Sequence, residues 1–157
     1  MQLINPKVEI IPQEEGLLGV YKQIEKAGRT CYKSEDRITE DSAETFVQKM
    51  IILGHTAMLE HGTIYLKVPN VEWWRDLHEW EYMFPEGCPW IKINTDSLNH
   101  YISTNYRYII MMDMGSDLFD KYMCGSTDDF EKRVSVRFTC DRGVSHELVR
   151  HKKLCVA

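Results

Sequence analysis

Residues 42–69 read SAETFVQKMIILGHTAMLEHGTIYLKVP and change character twice. Ala43, Phe46, Val47, Met50 and Ile51 recur at helical spacing on one stripe, with Asp41 or Ser42 placed to cap the start and Gly54 placed to stop the end. His55 to His61 is a short polar link. Thr63 to Val68 is then rich in strand-forming residues, and Pro69 closes it. Helix, link and strand follow one another too closely for a regular alternation of strands and crossover helices. The reading is therefore α+β rather than a doubly wound sheet.

The flanks extend the same pattern. Upstream, Val8 to Ile11 reads as a strand stopped by Pro12. Leu17, Val20, Tyr21 and Ile24 predict a helix over Gly16 to Ala27, ended by Gly28, with Arg29 to Lys33 as a polar turn. Downstream, 71–84 predicts a helix broken by Pro85, Gly87 and Pro89, His100 to Met112 fits strand or helix, and Gly115 to Asp129 is an acidic helix or loop. In Arg133 to Cys140, Val134, Val136 and Phe138 alternate with Ser135, Arg137 and Thr139, the pattern of a half-buried strand. Asp141 then caps a last helix from Gly143 to about Lys153. Segment 70–130, whose first part, 70–92, holds all four tryptophans, reads as an insertion between two strands that could otherwise be neighbours.

The whole chain of 157 residues suits one domain with a core of its own. Its 43% hydrophobic and 27% charged content excludes disordered, collagen-like and coiled-coil classes. No run approaches the roughly 20 apolar residues of a membrane helix. The start, MQLINPKVEI, lacks a basic, then apolar leader, so the expected compartment is the cytoplasm. A net charge of −5 argues against a general nucleic-acid coat. Five widely spaced cysteines without a C-x-x-C pair predict free thiols.

Two stretches carry chemistry. Ser145 to Lys153 (SHELVRHKK) is one residue longer than the zinc motif H-E-x-x-H. On a helix, positions five apart point about 140° from each other, so His146 and His151 cannot share a metal. Glu147, Arg150 and His151 do share a face, with Lys152 and Lys153 adding positive charge. That tip suits an anion such as a nucleotide phosphate, and it also suits the negative end of a helix dipole. His55, Glu60 and His61 (H-x-x-x-x-E-H) could line a cleft, hold a small metal site or form a structural turn; their spacing fits no zinc pattern. P-loop, dinucleotide and nucleophile-elbow motifs are absent from the sequence. The tryptophans could stack a flat ring, or serve as core or interface.

Taken in order, Arg29-Thr30-Cys31-Tyr32, Gly54-His55-Thr56-Ala57-Met58-Leu59-Glu60-His61 and Ser145-His146-Glu147-Leu148-Val149-Arg150-His151 resemble the flavin-dependent thymidylate synthase family, also called thymidylate synthase complementing proteins. The resemblance implies an α+β fold, a homotetramer and FAD at subunit boundaries. It implies methylation of dUMP to dTMP, with methylenetetrahydrofolate as carbon donor and NADPH as reductant of the flavin. Carried over by position, His55 would be catalytic and line the flavin pocket with Glu60. Arg150, His151 and Lys152 would bind the cofactor, and Glu147 and Arg150 the nucleotide. No metal is implied.

The chain also departs from the family pattern. Lys152 stands where a second Arg belongs, Cys155 and Ala157 stand at Ser and Asn positions, and Ala57 replaces a hydroxyl residue. The later part of the signature, with its C-terminal half, is expected to be missing. The expectation is a single, incomplete domain over 1–157 with a Trp-rich insertion at about 70–130, impaired as an enzyme by itself. The alternative is a non-catalytic binding or assembly domain with structural histidines.

Overall fold

A computed structural model describes residues 5–85 and 87–148. The chain runs β1 (Lys7–Ile11), α1 (Gly16–Cys31), α2 (Ser42–Ile52), β2 (Thr63–Pro69), α3 (Asn70–Arg75), α4 (Leu77–Met83), β3 (Lys92–Thr95), β4 (Asn99–Asn105), α5 (Tyr106–Met111), α6 (Ser116–Tyr122), β5 (Ser135–Thr139) and α7 (Arg142–Leu148). Short 3-10 turns occupy Glu35–Arg37 and Thr56–His61. Helices and antiparallel strands mix without crossover units, which makes the fold α+β. Among the described residues no helix is long and apolar enough to cross a membrane.

Two sheets form, and their pairing differs from the linear reading. β2, β4 and β3 make an antiparallel sheet in the order β2-β4-β3, with Ile102 of the central strand opposite Leu66 on one side and Ile93 on the other. β1 and β5 make a separate ribbon, with Val8 opposite Phe138 and Ile10 opposite Val136. So β2 and β5 are not neighbours. Segment 70–130 supplies two of the three strands of the larger sheet and cannot be a detachable appendage.

The core lies between one face of that sheet and the first two helices. Ile64, Leu66, Val68 and Ile102 are completely buried on the same sheet face, as their even register requires. Val20 and Ile24 of α1, Val47 of α2 and Leu59 of the second 3-10 turn meet them. Glycines allow the close approach. A Cβ on Gly62 would stand 2.6 Å from Val20, and one on Gly28 would stand 2.5 Å from the Phe46 ring.

Gly28 therefore does not end α1. It lets α2 pack against a helix that continues to Cys31, where a turn had been expected. Gly54, by contrast, is the expected stop: its φ is +69°, and the His55 amide returns to the Met50 carbonyl at 2.9 Å. Ser42 does not cap α2 with its side chain. Its hydroxyl accepts from the Thr39 amide and donates to Glu25, both at 2.9 Å. Glu25 needs that donor because it is almost wholly buried, with Arg29 as its ion partner at 3.1 Å.

The region 71–84 forms two helices, split at Asp76. The ambiguous His100–Met112 run is strand first and helix second. The switch falls at Asn105, whose side chain accepts the Tyr108 amide at 2.9 Å and caps α5. Trp73 and Trp80 are core residues, stacked 5.4 Å apart, with His100 4.1 Å from Trp73. Trp74 and Trp90 are exposed.

β5 is inverted relative to its apolar pattern. Val134, Val136 and Phe138 face outward, and Val8 and Ile10 extend this exposed side. The inner side carries Ser135, Arg137 and Thr139. Arg137 reaches Thr30 at 2.8 Å and pairs with Glu35, so ionic contacts at the end of α1 set which side of the ribbon faces the body. Asp141 does cap α7, through the Val144 amide at 3.1 Å.

Candidate functional site

A cleft of about 1520 Å³ opens between the ribbon, the end of α1, the Thr56–His61 turn and the segment around α4. Thr30, Glu60, His61, Arg133, Arg137 and Ser145 stand on its wall. The aromatic end carries Trp74, Phe84 and Trp90. This volume exceeds the roughly 300–1000 Å³ that suits one drug-sized ligand. Room remains for an extended dinucleotide or for two ligands side by side.

Folding brings the polar wall together from distant positions. The Thr56–His61 turn presents Glu60 and His61 because Leu59 between them and the helix above is fully buried. Glu60 is ion-paired with Arg107 of α5. Arg133 donates through Nη2 to the Glu60 backbone carbonyl at 3.3 Å, and its own amide donates to the Tyr65 hydroxyl at 3.2 Å. Gln13, in the loop after β1, clamps Thr63: its amide donates to the Thr63 carbonyl and accepts the Thr63 amide, both at 2.8 Å. That clamp fixes the approach of the ribbon to β2.

Electrostatics follow from this geometry. Burial holds His61 below the usual histidine range, the nearby Arg133 charge pushes the same way, and Glu60 opposes both. The balance favours the neutral imidazole of His61. Arg133 and Arg137 place guanidinium groups on the wall, the side chain best shaped for phosphate oxygens. Nε of Arg107 is buried and has no acceptor among the described residues.

The expected site residues fare unequally. Glu60 is on the cleft wall. His55 is exposed beside Tyr32, with Nδ1 2.9 Å from the Tyr32 hydroxyl, and does not line the cleft. Glu147 is exposed on α7 between His146 and the cleft-lining Leu148. Arg150, His151 and Lys152 lie outside the described residues. Among the described residues no three His, Cys, Asp or Glu side chains converge as metal ligands; Glu60 turns to Arg107 instead. Arg107, Arg133, Arg137 and Gln13 were not foreseen, and no local motif marks them.

All three segments of the resemblance contribute to the one cleft: Thr30 from the first, Glu60 and His61 from the second, Ser145 and Leu148 from the third. The size, the guanidinium of Arg133 and the exposed indoles are compatible with a flavin dinucleotide. No protein-family model, curated protein or solved structure matches the chain.

Proposed function

We propose that the cleft is a flavin and nucleotide site, and that the chain is a flavin-dependent thymidylate synthase of the cytoplasm. It would methylate dUMP to dTMP with methylenetetrahydrofolate and NADPH, assembled as a homotetramer. The observation that carries this reading is the convergence of Thr30, Glu60, His61, Ser145 and Leu148 on one cleft from positions spread over the whole chain. Bound FAD would supply the hydride chemistry, which needs no nucleophile from the protein.

The chain's own residues do the binding and the polarising. Arg133 offers a phosphate-shaped fork, while the Arg137 guanidinium beside it is already paired with Glu35. Glu60 presents a carboxylate held by an ion pair, and His61 presents a neutral ring able to accept or donate a hydrogen bond. Trp74 and Trp90 offer flat surfaces to a ring system. By the resemblance, Arg150, His151 and Lys152 would contact the cofactor, and Glu147 and Arg150 the nucleotide; of these only Glu147 lies among the described residues, on α7. His55, hydrogen-bonded to Tyr32, stands off the cleft wall, so a catalytic role for it would need a partner beyond this chain's own cleft. Ala57 lacks a hydroxyl, and Lys152 is a point charge in place of a fork, so turnover by this chain alone is expected to be slow or absent.

A non-catalytic binding or assembly domain is the second reading. The exposed Val8 and Ile10 of the ribbon, which lie off the cleft, favour it. Adding FAD to purified protein separates the two. Saturable quenching of flavin fluorescence, weakened by Arg133→Ala, supports the enzyme site. Protein that leaves the flavin spectrum unchanged supports the second reading.

A further inference from the structure

The segment between β2 and β5 contributes more to the cleft than a wall. Its α5 begins against the end of the Thr56–His61 turn: the Tyr106 amide donates to the Gly62 carbonyl at 2.9 Å, and the Tyr106 hydroxyl meets the Tyr21 hydroxyl at 3.0 Å. Asn105 pairs in register with Thr63 and caps the helix. The backbone that carries Arg107 is thus tied to the segment just after Glu60 at Gly62 and Thr63, and to α1 through Tyr21. From this platform Arg107 extends Nη1 to the Glu60 carboxylate. Both side chains are only partly exposed, 35% for Arg107 and 17% for Glu60, so the pair is shielded from water. Arg133 donates to the Glu60 backbone carbonyl at 3.3 Å.

We propose that Arg107 is a positioning residue of the flavin site: its ion pair aims the Glu60 carboxylate at the cofactor, so the inserted segment is coupled to cofactor binding. This rests on the reading of the cleft as a flavin site. A partly buried carboxylate with a single flexible stem has several rotamers, and a guanidinium anchored on a docked helix selects one. The pair joins residues 47 apart in sequence, so it constrains the cleft rather than one local turn. Arg107 does not line the cleft, so any effect it has on a ligand must pass through Glu60.

FAD titrations of the full chain test this, followed by flavin fluorescence and by the absorbance difference spectrum of bound flavin. Wild type, Arg107→Ala, Arg107→Lys, Glu60→Gln and the double variant R107A/E60Q are compared, with thermal melting of each. Arg107→Ala should weaken FAD by about tenfold and alter the difference spectrum, as loss of a charged hydrogen bond would. Arg107→Lys should restore most of the affinity. The double variant should lose no more than Glu60→Gln does. If Arg107→Ala melts early, Arg107→Gln is read in its place. Wild-type affinity and spectrum in the Arg107 variants, or fully additive losses in the double variant, would overturn the positioning role and leave the flavin reading standing. A wild-type chain that binds no FAD would overturn both.

Discussion

The Tyr32 hydroxyl lies 2.9 Å from Nδ1 of His55, and this contact joins the C-terminal end of α1 to the turn that presents Glu60 and His61. The rings are 6.3 Å apart and tilted, so the link is a hydrogen bond rather than a stack. Both residues are exposed. Their pairing therefore orients the turn more than it holds the fold together. Tyr32→Phe should change the unfolding free energy by less than about 1 kcal/mol, the usual scale for one hydrogen bond in water. FAD affinity should fall several-fold in the same variant. Urea unfolding beside a flavin titration checks both; a large loss of stability with unchanged flavin binding would reverse the assignment.

Gly28 faces the Phe46 ring so closely that a methyl group there would overlap it. Gly28→Ala should destabilise the fold by about 1–3 kcal/mol through overpacking. Phe46→Leu in the same chain should recover part of the loss. A Gly28→Ala protein as stable as wild type, by chemical denaturation, would show that α1 and α2 do not pack as described.

The Gln13 clamp on Thr63 replaces a strand pairing with one side chain. Gln13→Ala leaves the Thr63 amide and carbonyl without those partners. Since Thr63 is buried, the loss should be about 1–3 kcal/mol. Gln13→Glu should be worse, because a carboxylate cannot donate to the Thr63 carbonyl. Equal melting temperatures for wild type and both variants would contradict the clamp.

Burial lowers the proton affinity of His61, and of His100 under Trp73. The unfolded chain then takes up these protons first, near the ordinary histidine value of about 6.5. The stability tied to the two neutral rings is fully present above that pH. It is lost as pH falls from about 6.5 toward the depressed folded-state values. Urea midpoints measured between pH 7.5 and 5.5 should therefore decline, and His61→Gln should flatten part of the slope. A midpoint that rises on acidification through this window would contradict the depressed proton affinity of the half-buried His61.

The elements that read correctly were those set by local chemistry. The α2 stripe from Ala43 to Ile51, the stop at Gly54, the Thr63–Pro69 strand and the Asp141 cap all depend on residues within a few positions of one another. What escaped the sequence depends on distant partners. β5 shows its apolar side to solvent because Arg137 finds Glu35, 102 residues earlier. β2 pairs with β4 inside the presumed insertion, and only the register of the folded sheet decides that. The site divides in the same way. Glu60 stood out through its neighbouring histidines, whereas Arg107 and Arg133 lie far from it in sequence and are joined to it only by folding.

The most direct measurement is a titration of FAD into the purified chain, followed by the visible flavin band and then by addition of dUMP. The account predicts saturable binding of one FAD per chain, weakened by Arg133→Ala, and a further spectral change when the nucleotide enters beside the flavin. A flavin spectrum that is untouched by the protein at every FAD concentration, with or without dUMP, would contradict it.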